Sequence, residues 1–286
     1  SVTGLAIMGL IDAPGRIAGG SIKFEGQELV GKSEDELRSL RGRRMAMIFQ
    51  DPMSTLNPVL RVDTQMIETV QAHERVSEKA ARARARDALI KVGIPSPDER
   101  LVAYPHQFSG GMRQRVAIAI ALLHGPSLII ADEPTTALDV TIQAQILDLL
   151  RELQSEQGMS VVYITHNMAV IAETVDRVYV MYLGQVVEST TTRELFANPQ
   201  HPYTQQLLRS IPRPGQRVDR LEVIRGTVPT PIDLPQQCGF VARCPAAKAG
   251  VCDKAMPALI ERTPGHAVRC FLYGQETEPE DDWTHI

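Results

Sequence analysis

Two neighbouring segments constrain the fold of this chain more than any other part of the sequence. Residues 107–115 read Gln-Phe-Ser-Gly-Gly-Met-Arg-Gln-Arg, which places a glycine pair where a helix is predicted to begin. Residues 127–134 form an apolar run that ends in Asp-Glu-Pro. Glycines allow close approach to a ligand, and helix N-termini attract anions. Acid groups that end a buried strand lie at the sheet edge where α/β folds bind ligands. The two segments together therefore predict contacts to a phosphate, and carboxylates that can bind a metal ion and position a water.

The composition limits the classes of function that the chain can have. A formal net charge of −4 over 286 residues gives no case for general nucleic-acid binding. Charged residues interrupt the apolar runs well before the roughly 20 residues that a membrane-spanning helix needs, and no secretory signal is seen. We therefore expect a protein that is soluble, or that meets a membrane through a partner.

Segments with strand and helix patterns alternate through the first two thirds of the chain. Buried strands are predicted at residues 45–49, 128–131 and 160–165, and helices at residues 112–123 and 141–157. Such alternation indicates an α/β fold whose core is a mainly parallel sheet with helices on both faces.

Two regions differ from this core. Residues 56–123 include an alanine- and arginine-rich helix at residues 77–92, and they predict a helical subdomain inserted into the core. After about residue 198, prolines are frequent and regular periodicity is lost. We therefore predict one domain at residues 1–198 and a loop-rich C-terminal extension at residues 199–286.

Five short motifs occur in the order found in the ATP-binding subunits of ABC transporters, which this sequence resembles. In chain order, these are Gln50 of the Q-loop, residues 108–114 of the signature, residues 128–132 of Walker B with the catalytic Glu133, residues 137–139 of the D-loop and the switch histidine His166. Each motif alone is a modest signal, but their order around a helical insertion is typical of this family. The resemblance implies a P-loop NTPase-type fold and ATP hydrolysis.

One departure from the family concerns the phosphate-binding loop. Its pattern, Gly-x-x-x-x-Gly-Lys followed by Ser or Thr, is absent from the sequence. Ser1, which leads into an apolar helical segment, resembles the final Ser of that pattern. On this interpretation the first strand, the A-loop aromatic residue and the P-loop lysine lie upstream of residue 1. The alternative is that Ser1 is an arbitrary terminus.

The resemblance assigns five residues to the ATP and Mg²⁺ that this chain would bind. Hydrolysis needs bound phosphates, neutralised charge and an aligned water. Ser1 and Asp132 would hold the Mg²⁺ ion, and Gln50 would meet the metal or the attacking water. Glu133 would polarise that water as a general base, and His166 would hydrogen-bond the γ-phosphate.

The resemblance assigns the signature segment to a different nucleotide. Ser109, Gly110 and Gly111, with Gln114 of the same motif, would face the ATP held by the P-loop of a partner subunit. Two such domains would enclose two nucleotides head to tail, and Asp139 would communicate across their interface. Closure of this pair on ATP, and reopening after hydrolysis, would power transport.

Residues of the extension indicate a branch of the family. The segment that begins His201-Pro-Tyr, and the later Thr263-Pro-Gly-His with Cys270 after it, resemble the extension of oligopeptide, dipeptide and nickel importers. This resemblance implies import of di- or oligopeptides. The implied partners are two transmembrane permease subunits, an extracytoplasmic solute-binding protein and a second ATPase, commonly a different chain. The implied location is the cytoplasmic face of a prokaryotic inner membrane.

Three alternative functions stay open at this point. A nickel-chelate importer ATPase would share the same motifs, because other chains select the solute. A non-transport ABC ATPase usually has tandem or coiled-coil architecture, which this chain lacks. A catalytically inactive regulatory chain would account for the missing P-loop lysine, but it need not keep both Glu133 and His166.

All four cysteines lie in the last sixth of the chain, at Cys238, Cys244, Cys252 and Cys270. Four thiolates suit Zn²⁺ or an iron–sulfur cluster, and their spacing does not decide between the two. Several peptide-importer ATPases that resemble this chain carry such a set, which favours a [4Fe–4S] cluster. Zn²⁺, disulfides and free thiols remain alternatives. Because the extension has little core of its own, we expect metal binding to help fold it.

Overall fold

A computed structural model describes residues 1–51, 55–136, 138–211 and 223–277 of the chain. The chain divides into two units, Ser1–His166 and Asn167–Ile286. Ala137, which the sequence places in the D-loop, lies outside the described residues. Within the described ranges, no helix combines the length and the apolar character needed to cross a bilayer.

The first unit alternates helices with short strands. Its elements, in chain order, are α1 (Val2–Met8), β1 (Lys23–Phe24), β2 (Gln27–Glu28), α2 (Glu34–Leu40), β3 (Met45–Ile48), α3 (Val62–Gln71), α4 (Glu78–Lys91), α5 (Pro97–Leu101), a 3₁₀ turn (Pro105–Gln107), α6 (Gly110–Leu122), β4 (Leu128–Asp132), α7 (Val140–Gln157) and β5 (Ser160–Ile164). The predicted helices and strands of the core are all present, with ends within a few residues of the expected positions.

The parallel sheet of this unit has the order β3–β4–β5. Ile48 at the end of β3 pairs with Ala131, and Asp132 at the end of β4 pairs with Ile164. All three strands therefore end at the same edge of the sheet. The buried run that the sequence predicted at residues 128–131 forms the central strand, which has neighbours on both sides.

Helices cover both faces of the sheet, as the sequence predicted. Ile48 and Ile129 belong to one buried cluster, which also takes side chains from α3 to α7. Ile130 belongs to a separate cluster with residues of α1. Gly4 of α1 packs so closely on that face that an added Cβ would lie 3.1 Å from Ile130 Cγ2. Alternate side chains of each strand thus enter opposite cores.

Local sequence signals set the ends of the helices. Ser33 and Glu36 form a reciprocal capping box at the start of α2. Asp139 caps α7 through a 2.9 Å bond from the Ile142 N–H. Gly158 ends α7 with φ 64°, a left-handed conformation that glycine adopts without a steric cost.

The second unit contains a four-stranded antiparallel sheet. Its elements, in chain order, are α8 (Met168–Thr174), β6 (Arg177–Tyr182), β7 (Gln185–Thr191), α9 (Thr192–Ala197), α10 (Pro202–Arg209), a 3₁₀ turn (Val241–Arg243), β8 (Ile260–Thr263) and β9 (His266–Val268). The strand order is β6–β7–β9–β8. The sequence predicts the β6–β7 hairpin, because two strand-like runs at residues 176–182 and 185–188 flank Gly184, but it does not predict β8 and β9.

The division of the chain differs from the expected boundary at residue 198. The hairpin that the sequence grouped with residues 1–198 belongs to the unit Asn167–Ile286. The reason is strand pairing, because Glu188 and Ser189 of β7 pair with Val268 and Ala267 of β9. The extension is thus built onto the hairpin as a continuation of its sheet.

Candidate functional site

The carboxyl edge of the parallel sheet carries the residues that the sequence assigned to ATP and Mg²⁺. Gln50 follows β3 by two residues, Asp132 ends β4, and His166 follows β5 by two residues. Glu133 comes directly after Asp132. Strands that pair in parallel register end together. The side chains of Gln50 and His166 therefore reach Glu133, although Gln50 and Glu133 are 83 residues apart in sequence.

Glu133 lies at the centre of a hydrogen-bonded group at this edge. Gln50 Nε2 and Thr136 Oγ1 each donate to Glu133 Oε2 at 2.8 Å. His166 Nδ1 lies 2.7 Å from Glu133 Oε1. An ionised carboxylate only accepts, so the histidine nitrogen donates. Both carboxylate oxygens are therefore engaged, by side chains from three segments of the chain.

The main chain at Glu133 is held in an uncommon conformation. Its φ of 46° lies in the left-handed region, which costs a residue with a side chain about 1–3 kcal/mol. The Glu133 N–H donates to the Ile164 carbonyl at 2.8 Å, and the Thr136 N–H donates to the Glu133 carbonyl at 3.1 Å. The strand β5 and the following turn thus hold Glu133 in this left-handed conformation.

The electrostatics of the group favour the ionised form of Glu133. Partial burial raises the pKa of Glu133, but the hydrogen bonds from Thr136 and His166 and the charge of His166 outweigh burial, so that the pKa is lowered. The Glu133 side chain is 19 % exposed and that of His166 is 80 % exposed. A water or a phosphate arriving from solvent therefore reaches His166 before it reaches the carboxylate.

Asp132 presents a buried oxygen that suits a cation. The Asp132 side chain is 5 % exposed, and among the described residues its Oδ1 has no hydrogen-bond partner. The Ser1 backbone nitrogen lies 3.6 Å from that oxygen. A buried carboxylate oxygen without a hydrogen-bond partner is a ligand that Mg²⁺ accepts. The residues present thus fit the Mg²⁺ that accompanies ATP.

The signature segment forms the start of α6. Ser109 is the N-cap, and its Oγ accepts the Met112 N–H at 3.3 Å. Gly111 lies so close to α7 that an added Cβ would lie 2.7 Å from Ile142 Cγ2. Glycine is therefore required at Gly111 by packing alone. At Gly110 a Cβ would meet only Leu138, at an ordinary 3.6 Å, so packing does not require glycine there.

Gln114 and Asp139 have structural surroundings that the sequence did not predict. Gln114 is 2 % exposed, and its Nε2 has no hydrogen-bond partner among the described residues. Asp139, expected to communicate across an interface, caps α7 within its own chain.

Thr136 is a member of the Glu133 group that sequence reasoning missed. The sequence distinguishes Thr136 only by its position two residues after Pro134, in a turn that the sequence pattern did not predict. A lone threonine in a loop has no pattern that distinguishes it from an exposed residue. Its hydroxyl bond to Glu133 is visible only in three dimensions.

The four cysteines lie in the second unit and carry no disulfide. Among the described residues, no three His, Cys, Asp or Glu side chains form a group that could hold a metal ion. The predicted metal site at Cys238, Cys244, Cys252 and Cys270 thus has no support from ligand geometry. Burial raises the pKa of Cys270 to about 11, and the other three thiols add to that rise.

Comparisons with known proteins identify the family. The family model described as "ABC transporter" matches residues 3–136, and the model described as "Oligopeptide/dipeptide transporter, C-terminal region" matches residues 187–252. The oligopeptide transport ATP-binding protein AppD of Bacillus subtilis strain 168 is 48% identical over 277 residues, which are 96% of this chain and 84% of AppD. The chain belongs to the ATP-binding subunits of ABC transporters.

A second sequence relative and a solved structure support the same family. The dipeptide transport ATP-binding protein DppD of Escherichia coli strain K12 is 50% identical over 270 residues, 94% of this chain and 82% of DppD. A dimeric post-hydrolysis structure of the ATP-binding cassette MJ0796, bound to ADP and Pi, has 30% sequence identity and a TM-score of 0.57. It covers 67% of this chain and 80% of the MJ0796 chain.

Family membership settles the general activity. The ABC transporter subunit is an ATP-hydrolysing enzyme with the predicted P-loop NTPase-type fold, and ATP with Mg²⁺ is its expected substrate. Membership also implies permease partners in the membrane and pairing of ATPase subunits. The group around Glu133 lies at the carboxyl edge of the sheet, where open α/β folds bind their ligands.

Proposed function

We propose that this ABC transporter subunit powers the import of di- and oligopeptides. The observation that carries the proposal is a C-terminal region of the oligopeptide/dipeptide transporter type in a chain that also has the Gln50–Glu133–His166 group. AppD and DppD, which are named for oligopeptide and dipeptide transport, support this solute class. The nickel-chelate importer remains the second candidate, and the uptake experiment below separates the two.

Five residues would act on the nucleotide that this chain binds. Asp132 offers its buried Oδ1 to Mg²⁺, and Ser1 lies beside that oxygen. Gln50 and His166 reach the same edge of the sheet from the two flanking strands. Both now bond Glu133, so each can exchange that bond for the metal, the water or the γ-phosphate.

Glu133 is the residue that we assign as general base. It would take one proton from the attacking water while the water oxygen bonds the γ-phosphorus of ATP. The bond from that phosphorus to the bridging oxygen breaks, and its electron pair leaves with ADP. The left-handed backbone of Glu133 is a strained conformation of the kind that clusters at functional sites, which supports this role.

The signature residues would complete the site of a partner subunit. Ser109, Gly110, Gly111 and Gln114 lie on α6, and Asp139 caps α7. We propose that the first turn of α6 faces the γ-phosphate held by the partner, since helix N-termini bind anions. The dimeric structure of the MJ0796 cassette supports the pairing of two such subunits.

The partners and the location follow from the same proposal. The subunit would work with two transmembrane permeases, an extracytoplasmic solute-binding protein and a second ATPase that is a different chain. It would lie at the cytoplasmic face of a prokaryotic inner membrane. The presence of AppD and DppD among its relatives supports this assignment.

Solute uptake by cells tests the proposed function. In cells that lack only this chain, uptake of a radiolabelled dipeptide should fall to background, and a plasmid copy should restore it. Uptake of ⁶³Ni²⁺ in the same cells is the matched comparison and should not change. Loss of nickel uptake with normal dipeptide uptake would reject the peptide assignment in favour of the nickel-chelate importer.

We also propose that the four cysteines bind a [4Fe–4S] cluster. Soft thiolates are the ligands of such clusters, and each thiolate binds a different iron, so the four sulfurs need not converge on one point. A single Zn²⁺ would need all four at about 2.3 Å, and no such group occurs among the residues that the structure describes. Support comes from the Cys238 N–H bond to the Cys252 carbonyl at 3.0 Å, which brings two of the four cysteines together.

Metal analysis of the purified protein tests the cluster. Protein purified without oxygen should be brown, with about four iron atoms and four acid-labile sulfides per chain. Cys252→Ser should lose most of the iron and the visible absorbance. A colourless preparation that contains about one zinc ion per chain would reject the cluster and support the zinc alternative.

A further inference from the structure

The Glu133 carboxylate has one hydrogen-bond donor to which the proposed function gives no task. Gln50 and His166 both bond Glu133, and both are assigned to the nucleotide or its metal. When they turn to those ligands, they leave the carboxylate. Thr136 is the third donor, through its hydroxyl at 2.8 Å from Glu133 Oε2.

Thr136 is placed so that it can keep this bond while the other two break. It belongs to the same turn as Glu133, and its N–H donates to the Glu133 carbonyl at 3.1 Å. The Glu133 N–H in turn donates to the Ile164 carbonyl at 2.8 Å. The carboxylate and its hydroxyl donor thus lie on one turn that is hydrogen-bonded to β5, so we expect their relative position to be kept. Gln50 and His166, in contrast, lie on separate segments.

The two carboxylate oxygens are divided between these donors. Thr136 engages Oε2, and His166 engages Oε1. If His166 turns to the γ-phosphate, Oε1 becomes free, while the hydroxyl still holds Oε2. The free oxygen can then accept the proton of the attacking water, in an orientation that the hydroxyl fixes.

We propose that Thr136 is the positioning residue that orients the Glu133 carboxylate for ATP hydrolysis. The inference rests on the proposed role of Glu133 as general base. Thr136 acts through Glu133 and contacts neither ATP nor the metal. Its removal should therefore slow turnover without weakening ATP binding.

Two substitutions in the assembled transporter test the inference. Thr136→Val removes the hydroxyl and keeps the shape, and it should lower the kcat of ATP hydrolysis by on the order of tenfold or more, with little change in the KM for ATP. Thr136→Ser, the matched control, should recover most of the kcat because it restores the hydroxyl. Thr136 is exposed, and a thermal melt of each variant identifies any loss of folding; Thr136→Ala replaces Thr136→Val if that variant melts early.

The possible outcomes separate this inference from the proposed function. A wild-type kcat in Thr136→Val, while Glu133→Gln is inactive, overturns the positioning role and leaves the general base intact. A raised KM, or a serine variant as slow as the valine variant, also overturns it, because either result indicates a structural role. An active Glu133→Gln variant overturns the general-base assignment itself.

Discussion

Glu133→Gln should reduce ATP turnover by about 10²- to 10⁴-fold in the assembled transporter, while ATP still binds. The carboxamide has nearly the shape of the carboxylate but cannot take a proton from water. It also presents an NH₂ group where Glu133 now accepts from Gln50, Thr136 and His166, so at least one of those bonds must be lost. Binding should persist, because the proposed contacts to Mg²⁺ come from Asp132 and Ser1.

The measurement combines steady-state phosphate release with equilibrium binding of labelled ATP. Glu152→Gln is the matched control, because Glu152 is an exposed carboxylate on α7 and has no place in the proposed site. It should leave both quantities at their wild-type values. A Glu133→Gln transporter that hydrolyses ATP at the wild-type rate would contradict the assignment of Glu133.

Most residues of the candidate nucleotide site could be predicted from the sequence, because each of them lies in a local sequence pattern. A buried run ends at Asp132, and another strand is followed closely by His166, so each residue could be placed at a strand end without knowledge of the whole fold. Parallel strands that are in register then bring those ends together. The same reasoning placed Gln50, whose bond to Glu133 spans 83 residues. What these residues do with ATP remains a proposal.

Other features could not be predicted because they depend on contacts between distant residues. Glu188 follows Gln-Val-Val in the sequence, where a carboxylate is expected to face solvent, yet it is 0 % exposed. Its partner His266 is 78 residues away, on a strand that the proline-rich sequence did not reveal. Thr136 was missed for a different reason, since a hydroxyl in a loop acquires its role only from the position of Glu133.

Glu188→Ala should destabilise the second unit by about 1–3 kcal/mol for each donor that it leaves without an acceptor. The carboxylate accepts the Gln200 N–H at 2.7 Å and the His201 N–H at 2.9 Å. His266 Nε2 lies 2.8 Å from the same carboxylate and is also buried. Alanine would leave three donors without an acceptor, in a place that water does not reach. Glu188 thus ties β7 to the start of α10 and to β9.

The neighbouring His201 cannot compensate for the loss of the carboxylate. Burial lowers the pKa of His201 to about 4, although the Glu188 charge and a backbone hydrogen bond partly oppose that effect. The imidazole is therefore neutral at neutral pH, and its Nδ1 already accepts the Tyr203 N–H at 3.0 Å. With Glu188 removed, the segment that begins at His201 would lose its connection to the sheet.

Hydrogen exchange of the backbone amides gives the sharpest measurement of this effect. In Glu188→Ala the amides of Gln200 and His201 should exchange much faster, and the thermal unfolding of the chain should shift to lower temperature. Glu188→Gln keeps one acceptor oxygen. Its amide exchange rates and its unfolding temperature should therefore lie between those of Glu188→Ala and those of the wild type. Glu276→Ala, an exposed carboxylate of the same unit, should leave exchange and unfolding unchanged. Wild-type protection at Gln200 and His201 in Glu188→Ala would show that the buried carboxylate does not hold this segment in place.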